Sequence, residues 1–207
     1  MPREASRNPE RLFMRRICVF CGSSTGKPAA YAEHARQLAN ALVARQLGLV
    51  FGGGHIGLMG VLADTVLKAG GQAIGVIPQA LVDKELAHGG LSELHVVSSM
   101  HERKGLMADL SHGFLALPGG YGTADELFEI LTWAQLGLHS KPIGLLNVAG
   151  FFDPLLAWLD HAVAEGFIKS KHRQLILEAA DADRLLHILL NNNPPETTDK
   201  WISEDDR

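Results

Sequence analysis

The sequence predicts a single-domain α/β protein, a Rossmann-like doubly wound parallel sheet flanked by helices. Three observations predict it. Six short runs rich in Val, Ile and Leu recur along the chain. They are continuously apolar rather than alternating, as strands covered on both faces are. Each is followed by glycines and then by a stretch of helical periodicity, the βαβα order that builds a parallel sheet. A length of 207 residues fits one domain with an ample core, and no internal repeat interrupts it.

The elements follow in order. Residues 1–14 have charges on both sides of a very short apolar patch and no h-region of a secretory signal, so they are expected to be a disordered arm. The domain then runs over 15–191. Its first strand, "ICVFCGSS" (17–24), carries Cys18 and Cys21 as a C-x-x-C. A redox pair of that spacing normally opens a helix, where the dipole lowers a thiol pKa, and a tetrahedral zinc site needs a second pair. Two core thiols in a reducing compartment are the expectation. A helix over 28–47 places Leu38, Ala39, Leu42 and Val43 on one face. The strand "GLVFGGG" (48–54) leads to a helix over 57–70, and the strand "QAIGVIP" (72–78) to an irregular acidic loop over 79–93 that breaks the alternation. "LHVVSS" (94–99) precedes a helix over 100–112, "GFLALPGG" (113–120) one over 122–137, and "PIGLLNV" (142–148) one over 152–165. A short helix over 181–190 comes before the polar tail 192–207.

Composition excludes whole classes of partner. Nineteen basic and 23 acidic residues give a net charge of -4, with no basic run and few aromatics to stack bases, so no nucleic-acid partner is expected. The longest apolar stretches are broken within about ten residues, too short for roughly 30 Å of hydrocarbon, so no membrane span is expected. The chain reads as cytoplasmic.

Ligands of such sheets bind beyond the carboxyl ends of the strands, where helix N-termini aim free N–H groups inward. "CGSSTG", "FGGGHIGLMG" and "PGGYGT" all fall at such ends, which implies a ligand with a phosphate and hydroxyls. Within the second, Gly52, Gly54 and Gly57 match G-x-G-x-x-G. That motif normally follows the first strand and has an acid about twenty residues on for the ribose of NAD. Here it follows the second strand, and positions 77 and 78 are Ile and Pro, so NAD is not expected. In "PGGYGTADE", Gly119, Gly120 and Gly122 free the backbone to curl around an anion and Thr123 adds a hydroxyl. The plain alternative is a capping box, T-x-x-E, with Glu126 returning to the helix start. In "SMHERKGLMADLSH", Arg103 and Lys104 fall near the first turns of a helix, facing the same cavity as Glu126. Their plain alternative is a solvated basic pair, and His101 reads either as a general acid or as a surface residue or cap.

"MHERK" at 100–104, "PGGYGTADELFE" at 118–129 and "TWAQLGLHSKPIGLLN", together with "FCGSS" and "GGGHIGLMG", resemble the Lonely Guy (LOG) family of cytokinin-activating phosphoribohydrolases, long misnamed lysine decarboxylases. The resemblance runs from about residue 15 to about 190. It implies hydrolysis of the N-glycosidic bond of nucleoside 5′-monophosphates, N6-isoprenoid adenines above all and AMP in many bacterial members, without metal or cofactor. By motif it implies Arg103 and Glu126 as the catalytic pair. Gly119, Gly120, Gly122 and Thr123 would hold the phosphate, with Lys104 and Glu85, from "DKELAH", completing the substrate site. It also implies a homodimer.

The chemistry agrees with the residue types. Breaking a glycosidic bond builds positive charge on the ribose. A fixed carboxylate can stabilise that cation, orient hydroxyls or deprotonate water, and arginine offers a permanent charge with a planar fork of donors. Two rival readings stand beside this one. A non-catalytic nucleotide sensor would use the same glycine cradle, and a lysine decarboxylase would normally hold pyridoxal phosphate on a lysine, for which Lys104 is the one residue near the expected site.

Overall fold

The computed structural model describes residues 16–84 and 86–192. Strands β1 (Arg16–Phe20), β2 (Gly48–Phe51), β3 (Ala73–Pro78), β4 (Glu93–Val97), β5 (Phe114–Ala116), β6 (Ile143–Leu146) and β7 (Ile176–Ala179) alternate with helices α1 (Ala29–Ala44), α2 (Gly57–Lys68), α3 (Gln79–Val82), α4 (Met100–Asp109), α5 (Tyr121–Gln135), α6 (Asp153–Ala164), α7 (Ser170–Arg173) and α8 (Ala182–Asn191). All seven strands pair in parallel, in the order β4-β3-β2-β1-β5-β6-β7. The predicted doubly wound sheet is therefore found. The chain leaves β1 toward β2 and later returns to the other side of β1 as β5, which makes the β1/β5 gap the switch point of the sheet.

Apolar side chains explain the three layers. One face of the sheet is covered by α1, α2 and α8 through Leu38, Leu42, Leu62 and Leu185. The other is covered by α4, α5 and α6 through Met107, Leu127, Ile130 and Leu159. Each fully buried leucine contributes roughly 1.5–3 kcal/mol relative to exposure. Cys18 belongs to the second layer and Cys21 to the first, because residues three apart in an extended chain point to opposite faces. Both are free and buried, and burial pushes both thiols up, so the C-x-x-C is a packing feature.

The seventh strand lies outside the sequence expectation. It is an edge strand with one neighbour, so Leu177 and Glu178 are not fully buried, and "ILEA" lacks the continuous apolar run that marks the inner strands. The expected irregular loop over 79–93 contains the single turn α3, is tied to the segment after β2 by a bridge between Gly54 and Ala87 and to β3 by Ser92 N–H to Ala73 O at 3.0 Å, and runs into β4 at Glu93. The arm over 1–14 and nearly all of the tail lie outside the described residues.

Candidate active site

Helix α4 is the first piece of the site. Ser99 caps it, its Oγ accepting from the Glu102 N–H at 3.1 Å, and the Glu102 carboxylate reaches back to accept from Ser98 N–H at 2.8 Å and Ser98 Oγ at 2.6 Å. These bonds hold the Glu102 carboxyl below its ordinary range. An S-x-x-E cap of this kind fixes the first turn, and the next residue is Arg103. Its side chain is buried. Nε donates to the Val76 carbonyl of β3 at 3.1 Å, and Nη1 lies 3.0 Å from Glu126 Oε1.

Helix α5 is the second. It starts at Tyr121 with Gly120 as N-cap, which offers no side-chain acceptor, and Ala124 N–H bonds Gly120 O at 3.1 Å. Thr123 is thus the third residue of the helix rather than its cap, and Glu126 stands one turn in, facing Arg103. The capping-box alternative does not describe Glu126. Burial pushes the Glu126 carboxyl above its ordinary range; the Arg103 guanidinium pulls it back and Asp125 adds to the upward push. The first N–H groups of α5 have no intrahelical acceptor, as at any helix start, and carry the positive end of a 15-residue dipole.

A cavity of about 220 Å³ opens between these pieces, at the switch point. Gly120, Tyr121, Gly122 and Thr123 form one wall, Gly22 and Ser23 after β1 another, and Gly52 with Met59 a third; Arg103 and Glu126 close the floor. The three glycine loops are stitched together by Gly22 N–H to Pro118 O at 3.1 Å and Leu58 N–H to Gly22 O at 3.0 Å. Gly57 adopts φ +62°, and a Cβ there would strike the Ser23–Ser24 peptide, so this glycine lets two loops meet.

The expected residues do not all fall in one place. Arg103, Glu126, Gly120, Gly122 and Thr123 line the cavity together. Gly119 sits behind that wall, where a Cβ would run into Thr123 Oγ1 and come 3.0 Å from Gly22 N. Lys104 is not among the lining residues: its Nζ lies 3.1 Å from Asp125 Oδ2 and 3.0 Å from Glu129 Oε1, so it ties α4 to α5 beside the site. Burial lowers its ammonium pKa, but the two carboxylates outweigh that and leave it raised. Glu85 lies outside the described residues. His101 lines a groove on the outer side of α4. Sequence reasoning did not single out Ser23, Gly52 as part of the site, Met59 or Tyr121. The signal available for them was their position in or beside the Gly-rich loops at strand carboxyl ends. Among the described residues no group of three or more His, Cys, Asp or Glu gathers as metal ligands would.

A family model described as possible lysine decarboxylase matches residues 59–189. Among curated relatives, the probable cytokinin riboside 5′-monophosphate phosphoribohydrolase LOGL9 of Oryza sativa subsp. japonica is 54% identical over 175 residues, 84% of this chain and 77% of that protein. The cytokinin riboside 5′-monophosphate phosphoribohydrolase LOG2 of Arabidopsis thaliana is 50% identical over 175 residues, 84% of this chain and 82% of that protein. Among solved structures, the molybdenum cofactor binding protein of Rippkaea orientalis superposes with a TM-score of 0.66 at 19% identity, covering 87% of this chain and 98% of its own. The molybdenum cofactor carrier protein of Chlamydomonas reinhardtii does so at 0.64 and 22%, covering 86% and 99%. These two likenesses show the fold.

Proposed function

The chain belongs to the Lonely Guy (LOG) family of cytokinin riboside 5′-monophosphate phosphoribohydrolases, and from that premise we propose that it hydrolyses the N-glycosidic bond of N6-modified adenosine 5′-monophosphates, releasing free base and ribose 5-phosphate, with Arg103 and Glu126 as the reacting pair. The observation that carries the assignment of residues is the buried Arg103–Glu126 pair on the floor of a cavity whose wall is an uncapped helix start. The phosphate sits at the N–H groups of Gly120, Gly122 and Thr123, with Gly119 packed behind them. That places C1′ toward the floor. As the bond to the base breaks, the ribose takes on oxocarbenium character, and the Glu126 carboxylate, the one carboxylate among the described lining residues, stabilises it and accepts a proton from water. Water supplies the hydroxyl that ends on C1′ and the proton that the base carries away. Arg103 keeps Glu126 ionised in a site whose burial favours the neutral acid.

Two rival readings fit less well. A nucleotide sensor needs the helix start but gains nothing from a buried carboxylate beside it. Lysine decarboxylation normally runs on pyridoxal phosphate held by a lysine. No lysine is among the described lining residues, and the Lys104 ammonium is engaged by two carboxylates, so these residues do not fit that cofactor. Lys104 in this reading holds α5 in place, and Glu85 keeps the substrate contact that its family motif implies.

The same reading takes the chain as a cytoplasmic homodimer. Support comes from Tyr121, 98% exposed at the cavity, and from a groove lined by the half-buried Leu106 and Trp133 of α4 and α5, apolar area that a partner would cover. Two free buried thiols suit a reducing compartment. No helix among the described residues is long and apolar enough to cross a membrane.

The test is incubation with isopentenyladenosine monophosphate and with AMP, followed by chromatography for free base. Release of base from at least the N6-modified nucleotide is expected; no release from either sinks the proposal. Light scattering on the eluted protein reports the dimer, and a monomer at micromolar concentration overturns that part.

A further inference from the structure

The first glycine of "GGGHIG" has no task in a dinucleotide site, since none is built here. We propose that Gly52 is a positioning residue for Arg103, making the seat in which the guanidinium lies and so setting the Arg103–Glu126 pair. The inference rests on the reading of that pair given above and adds a residue that controls it.

Space rather than backbone conformation is what the position requires. Gly52 is not among the glycines with positive φ, so its dihedrals are open to other residues. A Cβ built on it, however, would run into Arg103 Nη2, with the guanidinium carbon at 3.2 Å and Met59 Sδ at 3.3 Å. The end of an exposed arginine would swing aside. This one is held, because Nε is bonded to Val76 O and Nη1 to Glu126 Oε1. The planar fork is therefore held at Nε by a β3 carbonyl and at Nη1 by the α5 carboxylate, while Nη2 occupies the space that a Cβ at Gly52, just past β2, would fill. A methyl group at 52 displaces the whole plane, since guanidinium atoms move together. The carboxylate is then left buried without its cation and takes up a proton.

The experiment uses the full chain with Gly52→Ala, Arg103→Met and the double variant. The Arg103 Nε–H resonance, assigned by its loss in Arg103→Met, is expected to exchange slowly in the wild type and to lose that protection in Gly52→Ala. Turnover of the N6-modified nucleotide is expected to fall about 10²-fold in Gly52→Ala, the scale of a lost electrostatic group. The acidic limb of its pH profile is expected to move to higher pH. In the Arg103→Met background the same alanine is expected to change turnover less than about twofold, as two residues acting through one interaction require. Retained protection of Nε–H in Gly52→Ala, or an equal loss in both backgrounds, overturns the inference. Should Gly52→Ala fail to fold, the double variant is expected to fold with a higher Tm than the single, and a double variant no more stable than Gly52→Ala overturns it. A wild type with the protected resonance but no base release overturns the enzymatic reading and leaves the seat intact.

Discussion

Arg103 Nη1 and Glu126 Oε1 lie 3.0 Å apart with both side chains about nine-tenths buried. A pair so placed is costly to break, about 3–5 kcal/mol when one partner is deleted, because the other charge is left without compensation. Its energetic and chemical roles can be separated by substitution. Glu126→Gln keeps an acceptor for Nη1, so a Tm within several degrees of wild type is expected, while kcat on an N6-isopentenyl nucleotide falls by about 10² or more through loss of the negative charge. Wild-type kcat in this variant would remove Glu126 from the chemistry.

The pH dependence follows from the raised pKa of Glu126. In the proposed reaction the ionised form is the working one, so the acidic limb of kcat/KM is expected above the ordinary carboxyl value of about 4.5. Arg103→Met, which removes a group that pulls the pKa down, moves the limb further up. Stability runs the opposite way. The folded protein holds this proton more tightly than the unfolded chain, so the native state binds more protons between the two pKa values and the Glu126 contribution declines as pH rises through that window. Melts of wild type and Glu126→Gln from pH 4 to 8 are expected to show wild type losing ground relative to the variant as pH rises. A constant difference contradicts the shift.

Lys104 gives a test of positioning against ligation. In place it bridges Asp125 and Glu129, which are four apart on α5 and repel once it is gone. Asp125 is largely exposed, but Glu129 and Lys104 itself are mostly buried, so Lys104→Met, which leaves the Glu129 carboxylate without its cation, is expected to cost about 1–3 kcal/mol, seen as a lowered denaturant midpoint. The preference for nucleotide over nucleoside is expected to persist. Loss of that preference would instead place the ammonium on the phosphate during turnover.

How far the site was legible depends on what each residue's partners are. Glu126 and Arg103 were readable as a charged pair near strand ends, but two S/T-x-x-E patterns occur in the chain, at 99–102 and 123–126. Only the first is a working cap. The second fails because α5 starts two residues before Thr123, a boundary that depends on the tertiary approach of Pro118 and Gly22 and not on local pattern. Gly52 was legible as a constrained glycine, yet its reason, an arginine 51 positions later, is a contact that no local motif encodes. β7 escaped notice because an edge position relaxes the demand for a continuous apolar run.

The phosphate assignment makes Gly122 a point where stability and function conflict. Gly122 lies in the first turn of α5 and lines the cavity, and a Cβ built on it would meet no atom within 4 Å. The protein therefore has no packing reason to refuse alanine, and helix propensity favours alanine by up to about 1 kcal/mol. A glycine there is explained by what must approach the backbone. Gly122→Ala is expected to melt at or above the wild-type Tm while losing at least about tenfold in kcat/KM on the nucleotide, the loss expected when one charge-assisted hydrogen bond of roughly 1.5–3 kcal/mol is disturbed. The corresponding nucleoside, already at least about tenfold poorer in the wild type for want of its phosphate, is expected to be little affected by the substitution. Equal losses on nucleotide and nucleoside would place the effect on the ribose or base, and an unchanged kcat/KM on both would move the phosphate away from this helix start.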